Sequence, residues 1–250
     1  MSITIISGGG ARFRKISSEY MLFNPHWVGV TSLGIPRYGA CGFIYNNILF
    51  IVGGVTIAGV SSAVEIIDLS TFERSYVESM PEARAFFGFG VIGGKLYVLG
   101  GVDRSYTPTN TIFVYDIVNN SWSTLTVTLP KKIAYCGYST LGSEIYVIGG
   151  IDEEGNILKD VYSFNTANNT VSTKASLNIA RQNHACAVLQ DKIYCFGGDN
   201  GTYNLRSIEV YDPSTDTWTV SSVEMPEALT GITASTITIG DRSYIIVIGG

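Results

Sequence analysis

Six times along the chain a short apolar run ends in paired glycines: SITIIS before Gly9-Gly10, NILFIV before Gly53-Gly54, KLYVL before Gly100-Gly101, EIYVI before Gly149-Gly150, KIYCF before Gly197-Gly198 and SYIIVI before Gly249-Gly250. The pairs recur at intervals of 44 to 52 residues. Runs of five or six apolar residues bounded by turn formers predict buried strands, and a fixed recurrence of this length predicts a repeat architecture.

The flanking sequence keeps phase with the glycines. Ahead of the four middle runs lies a second strand pattern in which small and large residues alternate (IPRYGACGFI, EARAFFGFGVI, KKIAYCGYSTL, IARQNHACAVL), joined to them by Asn46-Asn47, Gly93-Gly94, Gly142-Ser143 or Gln190-Asp191. Such pairs tolerate positive φ and predict tight hairpins. Behind the glycines come a polar loop and a third strand, AVEIID, TIFVYD, DVYSFN or SIEVYD, then a short turn and a fourth strand opening at Trp122 or Trp218, with Trp27, Tyr76 and Val171 in looser register. Four antiparallel strands per repeat predict an all-β propeller with blade parts near 1–33, 34–80, 81–129, 130–177, 178–225 and 226–250. Gly53, Gly54, Gly100, Gly101, Gly149, Gly150, Gly197 and Gly198 are expected to turn the backbone close against a neighbouring sheet. Tyr115, Tyr211, Trp122 and Trp218 are expected to fill the wedges between sheets.

Composition narrows the function classes. A net charge of −5 without basic clusters argues against nucleic-acid binding. No run reaches the length of a membrane span, and the first residues lack the basic and apolar regions of a signal peptide, so a cytoplasmic or nuclear protein is expected. Cys41, Cys136, Cys186 and Cys195 have no C-x-x-C spacing and are expected as buried reduced thiols. The letters Gly88-x-Gly90-x-x-Gly93 lie on a strand with no helix after it, which excludes a dinucleotide loop. His26 and His184 are the two histidines, far apart in sequence; His184 reads as a buried, hydrogen-bonded imidazole, and neither metal nor cofactor is expected.

The pieces IYCFGG, SIEVYDP, TDTW and the IAR turn resemble the kelch motif, strongest over residues 181–227, and are most similar to the C-terminal propellers of BTB-kelch proteins. That resemblance implies a propeller commonly of six blades. Six Gly-Gly strands against five of each other kind imply an incomplete blade at the chain ends, with the chain a fragment of a longer protein; a five-bladed ring is the alternative. It also implies a protein-interaction module that recognises substrates for cullin-RING ubiquitin ligases if a BTB domain accompanies it, and no catalysis. A propeller enzyme with loop carboxylates at the channel mouth is the competing reading.

Alternate strands run oppositely, so the loops between second and third strands share one face with the turns that lead into each first strand. Arg37, Arg84 and Arg181 each stand sixteen residues before a Gly-Gly pair on that face, where Ile133 and Leu229 replace them. Their guanidinium groups are expected to meet at the channel mouth and fork onto a partner's carboxylates, with Asn183 beside them and Tyr106 and Tyr203 as aromatic contacts. In related propellers aromatic residues follow Gly-Gly; here Val55, Val102, Ile151 and Asp199 stand there.

Overall fold

The computed structural model describes residues 31–250 and, ahead of them, the backbone of Ile3–Ser7 and Phe13–Lys15. Gly9, Gly10, His26 and Trp27 lie outside the described residues. The described chain is all β, in five four-stranded antiparallel sheets and one small ribbon.

Strands β1 (Ile3–Ser7) and β2 (Phe13–Lys15) come first in the chain. The first sheet is β3 (Cys41–Tyr45), β4 (Ile48–Val52), β7 (Val64–Asp68) and β8 (Arg74–Val77), with the ribbon β5 (Val55–Thr56) and β6 (Gly59–Val60) in its loop. The second is β9 (Gly88–Ile92), β10 (Lys95–Leu99), β11 (Ile112–Asp116) and β12 (Ser121–Thr124). The third is β13 (Gly137–Leu141), β14 (Glu144–Ile148), β15 (Val161–Asn165) and β16 (Thr170–Lys174). The fourth is β17 (Ala185–Leu189), β18 (Lys192–Phe196), β19 (Ile208–Asp212) and β20 (Thr217–Val220). The fifth pairs β21 (Ile232–Ile239) and β22 (Arg242–Gly249) with β1 and β2. Thus Ile3–Ser7, expected as the second strand of an incomplete blade, lies third in a sheet, with Thr4 opposite Val247.

The middle strands carry apolar residues on both faces because each sheet is covered on both sides, whereas the outermost strands face solvent. β10, β11, β14 and β15 bury four of five residues each, while β12 and β20 are largely exposed. Four apolar clusters join successive sheets: Phe50 and Val52 with Leu96 and Tyr115, Leu99 and Val114 with Val147 and Phe164, Ile148 with Ile193 and Trp218, and Phe196 with Ile245 and Val247. Among the described residues no such cluster joins the fifth sheet to the first.

The aromatic marks form a recurring clamp. Trp218 donates its indole N–H to the Ala175 carbonyl of the preceding sheet at 2.9 Å, and Trp122 does the same to Glu78 at 2.9 Å. Tyr211 and Tyr115 each donate a hydroxyl at 2.7 Å, to Asp216 and Asn120, whose side chains accept the N–H of Ala175 and Glu78. The hairpin pairs Asn46-Asn47, Gly93-Gly94 and Gln190-Asp191 have positive φ at both positions, as two-residue turns of this kind require.

Two of the four cysteines depart from expectation. Cys186 and Cys195 sit directly opposite on β17 and β18 with Cα atoms 4.2 Å apart, and are disulfide-bonded rather than reduced. Cys41 and Cys136 are free and buried.

Candidate functional site

First strands β3, β9, β13, β17 and β21 surround a central channel, because residues of all five sheets line it. At one end the turns leading into these strands meet the loops that follow the glycine pairs: Tyr38 bridges Val55, Ala85 bridges Val102, Ala134 bridges Ile151 and Gln182 bridges Asp199. The two loop sets therefore share a face, as the strand alternation requires.

A belt of four backbone hydrogen bonds runs around this mouth from the turn of the first sheet to that of the fifth. Phe86 donates its N–H to the Gly39 carbonyl at 2.8 Å; Tyr135 donates to Phe86, Asn183 to Tyr135 and Gly231 to Asn183, each at 2.9 Å. All five residues are left-handed, with φ of 63°, 55°, 55°, 51° and 63° from Gly39 to Gly231. Glycine takes this conformation freely and asparagine readily, but for Phe86 and Tyr135 it carries strain that surrounding contacts must offset.

The belt turns its aromatic side chains into an arc. The Phe86 ring stacks on Tyr135 with centroids 4.2 Å apart and meets the edge of Tyr38 at 5.8 Å. Tyr38 is 63% exposed. Burial, with Tyr38 and Tyr106 close by, pushes the Tyr135 hydroxyl above its ordinary value. Beyond the arc the rim is polar. Asp199 accepts from Gln182 at 3.0 Å, Asn183 at 3.3 Å and Thr230 at 3.1 Å. Burial works against its carboxylate, but these bonds outweigh it and hold Asp199 below its ordinary value. Within the belt lies a cavity of about 480 Å³, lined among others by Phe86, Tyr135, Asn183 and His184, a size that accommodates side chains of a bound molecule.

The predicted arginine trio does not contribute to this mouth as free cations. Arg181 is fully buried; it donates to the Gly197 and Ser207 carbonyls and to Glu209 at 2.9 Å. Glu209 also accepts the N–H groups of Asn178 and Ile179. Arg37 repeats the arrangement with Gly53, Ala63 and Glu65. Arg84 lacks the glutamate: Phe113 stands at that strand position, and the guanidinium lies 4.8 Å from its ring centroid while donating to Ala83, Glu82 and Thr111. Arg37 and Arg181 thus tie the carbonyls around the glycine pair to a third-strand glutamate, and Arg84 ties its turn to Thr111, so the three guanidinium groups hold the loops together instead of projecting into the mouth.

Of the remaining predicted contacts, Asn183 and Tyr106 stand at the mouth. Tyr203 is 63% exposed on the next loop, which Asn200 caps. The acidic stretch at 152–154 is partly structural: Asp152 accepts the N–H groups of Glu154 and Asn156, and Glu153 pairs with Lys132. Sequence reasoning missed Tyr38, Phe86 and Tyr135. The usable signal was the column two residues after Arg37, Arg84, Ile133, Arg181 and Leu229, which reads Gly, Phe, Tyr, Asn, Gly and so marks positive φ.

His184 departs from the satisfied imidazole expected of it. It is 4% exposed, and neither ring nitrogen has a hydrogen-bond partner. Burial, with the Arg181 charge nearby, holds its pKa well below the ordinary value. Among the described residues the aspartates with displaced ionisation, Asp116, Asp152, Asp199, Asp212 and Asp216, are all held low, which suits hydrogen-bonded anions rather than a proton donor.

Comparison with known proteins agrees with this architecture. Residues 89–250 match the KLHDC2/KLHL20/DRC7 Kelch-repeats domain. Human Kelch-like protein 34 is 28% identical over 214 residues, covering 79% of this chain and 33% of that protein. Human Kelch-like protein 28 is 33% identical over 114 residues, covering 40% of this chain and 20% of that protein. The chain thus spans a third or less of the length of these relatives. A solved structure of YjhT superposes with a TM-score of 0.74 at 18% identity, covering 89% of this chain and 75% of that one. The chain belongs to the kelch-repeat family, and its fold is the kelch β-propeller.

Proposed function

We propose that this kelch-repeat propeller is a protein-interaction module that takes a peptide or partner loop at the belted mouth of its channel. The observation that carries the reading is the arc of Tyr38, Phe86 and Tyr135, two of whose members are held in strained left-handed conformations beside an open cavity. Strain of this kind persists where it positions side chains for a ligand, and rigid aromatic residues are the commonest anchors of protein interfaces. The rim offers the Asn183 amide and the Asp199 carboxylate, so the fitting ligand inserts an apolar or aromatic side chain and meets the rim with backbone N–H groups or a cation. With a BTB domain joined to it, the module would act as the substrate arm of a cullin-RING ubiquitin ligase, the role implied by its resemblance to BTB-kelch propellers.

Selection of binders from a random peptide display library tests the site, because it requires no identified partner. Selected peptides are expected to lose at least ~10-fold in affinity against Tyr38→Ala or Phe86→Ala chains that melt cooperatively, as loss of an interface anchor produces. Peptides that bind both variants as tightly as the unaltered chain would place the site elsewhere.

A further inference from the structure

Behind the mouth, three metal-ligating side chains converge for which the peptide-binding reading has no use. One donor atom each from His184, Cys186 and Cys195 lie within 4.8 Å of one another, all three residues buried. We propose that, once the Cys186–Cys195 disulfide is reduced, these side chains form a binding site for a thiophilic d10 cation such as Zn²⁺.

The register brings the donors together. His184 precedes β17 and stands two residues before Cys186, the spacing that puts side chains on one face of an extended segment. Cys195 faces Cys186 directly across the β17–β18 ladder. Two sulfurs on one rung of a hairpin can separate by side-chain rotation alone, so opening the disulfide leaves the backbone frame intact. The neighbouring third sheet makes room with Gly137: a Cβ there would overlap His184 Nε2 and lie 2.7 Å from Cys186 Sγ.

An independent observation points to a ligand. His184 is 4% exposed, yet both of its nitrogens lack a hydrogen-bond partner. Buried polar atoms are almost always paired, and an orphan imidazole beside two sulfurs is the donor set of a Cys₂His site with one position open. Access exists on both sides, since His184 lines the mouth cavity and Cys186 lines the cavity of about 460 Å³ deeper in the channel.

The chemistry balances with a small-molecule thiol as reductant. A thiolate of that reductant attacks one cystine sulfur, a second resolves the mixed disulfide, and two reductant thiols become one reductant disulfide while the protein gains two thiols. Zn²⁺ then binds both sulfurs as thiolates and the neutral imidazole, releasing two protons to solvent. The resulting centre carries no net charge, which a buried position requires. Metal and disulfide exclude each other, so occupancy follows the thiol redox state.

The test uses the full chain, reduced with a phosphine, freed of reductant under argon and titrated with Zn²⁺. One Zn²⁺ per chain is expected, with Cys186 and Cys195 shielded from alkylation in mass-spectrometric mapping while Cys41 and Cys136 react as they do without metal. The oxidised chain is expected to bind none. His184→Gln should weaken binding by more than about 10-fold, the loss that follows even from removing an outer partner of a metal ligand. Substoichiometric binding by the reduced chain, protection of Cys41 and Cys136 instead, or undiminished affinity in a folded His184→Gln chain would each overturn the site. The alkylation map needs no variant and decides the matter even where substitution prevents folding.

Discussion

Arg181 and Glu209 form an ion pair 2.9 Å long with both side chains wholly withdrawn from solvent. Burial pulls the guanidinium below its ordinary pKa while Glu209 opposes the shift. Because Glu209 also holds the backbone of Asn178 and Ile179, removing it strands a buried cation and two N–H groups together. Glu209→Ala is therefore expected to cost about 3–5 kcal/mol in urea unfolding, the usual penalty for breaking a buried pair. The contact between Arg84 and Glu82 is the control, because Glu82 is 65% exposed; Glu82→Ala should cost no more than about 1 kcal/mol. Equal effects would mean that the buried pair is not what anchors the turn.

The clamp at Trp218 separates two contributions that can be measured apart. Trp218→Phe keeps most of the ring in the wedge but leaves the Ala175 carbonyl without its 2.9 Å donor, and should cost about 1 kcal/mol. Trp218→Ala opens a cavity between two sheets and should cost about 3–5 kcal/mol. Trp122 makes the same hydrogen bond from a more exposed position, so Trp122→Ala is expected to cost less than Trp218→Ala. A reversed order in denaturant midpoints would show that burial is not the deciding term.

Glycines with the same backbone angle should respond differently to an added methyl group. Gly100 and Gly142 have φ of 66° and 60°. At Gly100 a Cβ would lie 2.5 Å from the Ile133 carbonyl oxygen and 3.1 Å from that of Thr109, whereas nothing lies within 4 Å at Gly142. Gly142→Ala should cost only the left-handed penalty of about 1–2 kcal/mol, and Gly100→Ala visibly more because backbone must move. Thermal melts of the two variants compare them directly, and indistinguishable midpoints would remove close approach as the reason for the glycine pair.

Local constraints were legible in the sequence; pairings across repeats were not. Gly-Gly, the Asn-Asn and Gln-Asp hairpins and the Tyr–Trp marks recur at fixed phase along the chain, so they already specify strands, turns and a wedge between sheets, but not which residue of the neighbouring repeat each one meets. The Arg37, Arg84 and Arg181 column was equally visible, but its burial depends on which third-strand residue lies beneath each guanidinium. That partner was in view as a glutamate at the third position of AVEIID and SIEVYD, against phenylalanine in TIFVYD, yet only the folded loop shows that the two columns touch. The aromatic arc escaped for a related reason. Phe86 and Tyr135 read as ordinary strand residues until Gly39 and Gly231, in the same column, mark it as left-handed. The Cys186–Cys195 bridge was within reach of the sequence, because a two-residue turn at Gln190-Asp191 sets Leu189 opposite Lys192 and therefore Cys186 opposite Cys195; sequence reasoning missed the step from that register to a bond.

Acid stability should depend on the aspartates of the third-to-fourth strand turns. Lys192, with the Ser214 hydroxyl and N–H, holds Asp212 down to about 2. The Ala175 N–H and the Tyr211 hydroxyl, against the cost of burial, hold Asp216 below its ordinary value. A depressed carboxylate in the folded state binds its proton less readily than in the unfolded chain, so the unfolded state takes up more protons as pH falls. The stabilisation is fully present above the unfolded value of about 3.9 and is lost as pH drops toward the folded one. The urea midpoint of the unaltered chain is therefore expected to decline below about pH 6.5, where the unfolded chain protonates His184 and the folded chain buries it neutral, and to fall more steeply below about pH 4 as these aspartates take up protons. Asp212→Asn should lower the midpoint at pH 7 and flatten the acid limb, because the group that took up the proton is gone. Asp216→Asn should do the same and, since its side chain spans two sheets through Ala175 and Tyr211, lower the pH 7 midpoint further. An acid limb of unchanged steepness in both variants would assign acid unfolding to other carboxylates.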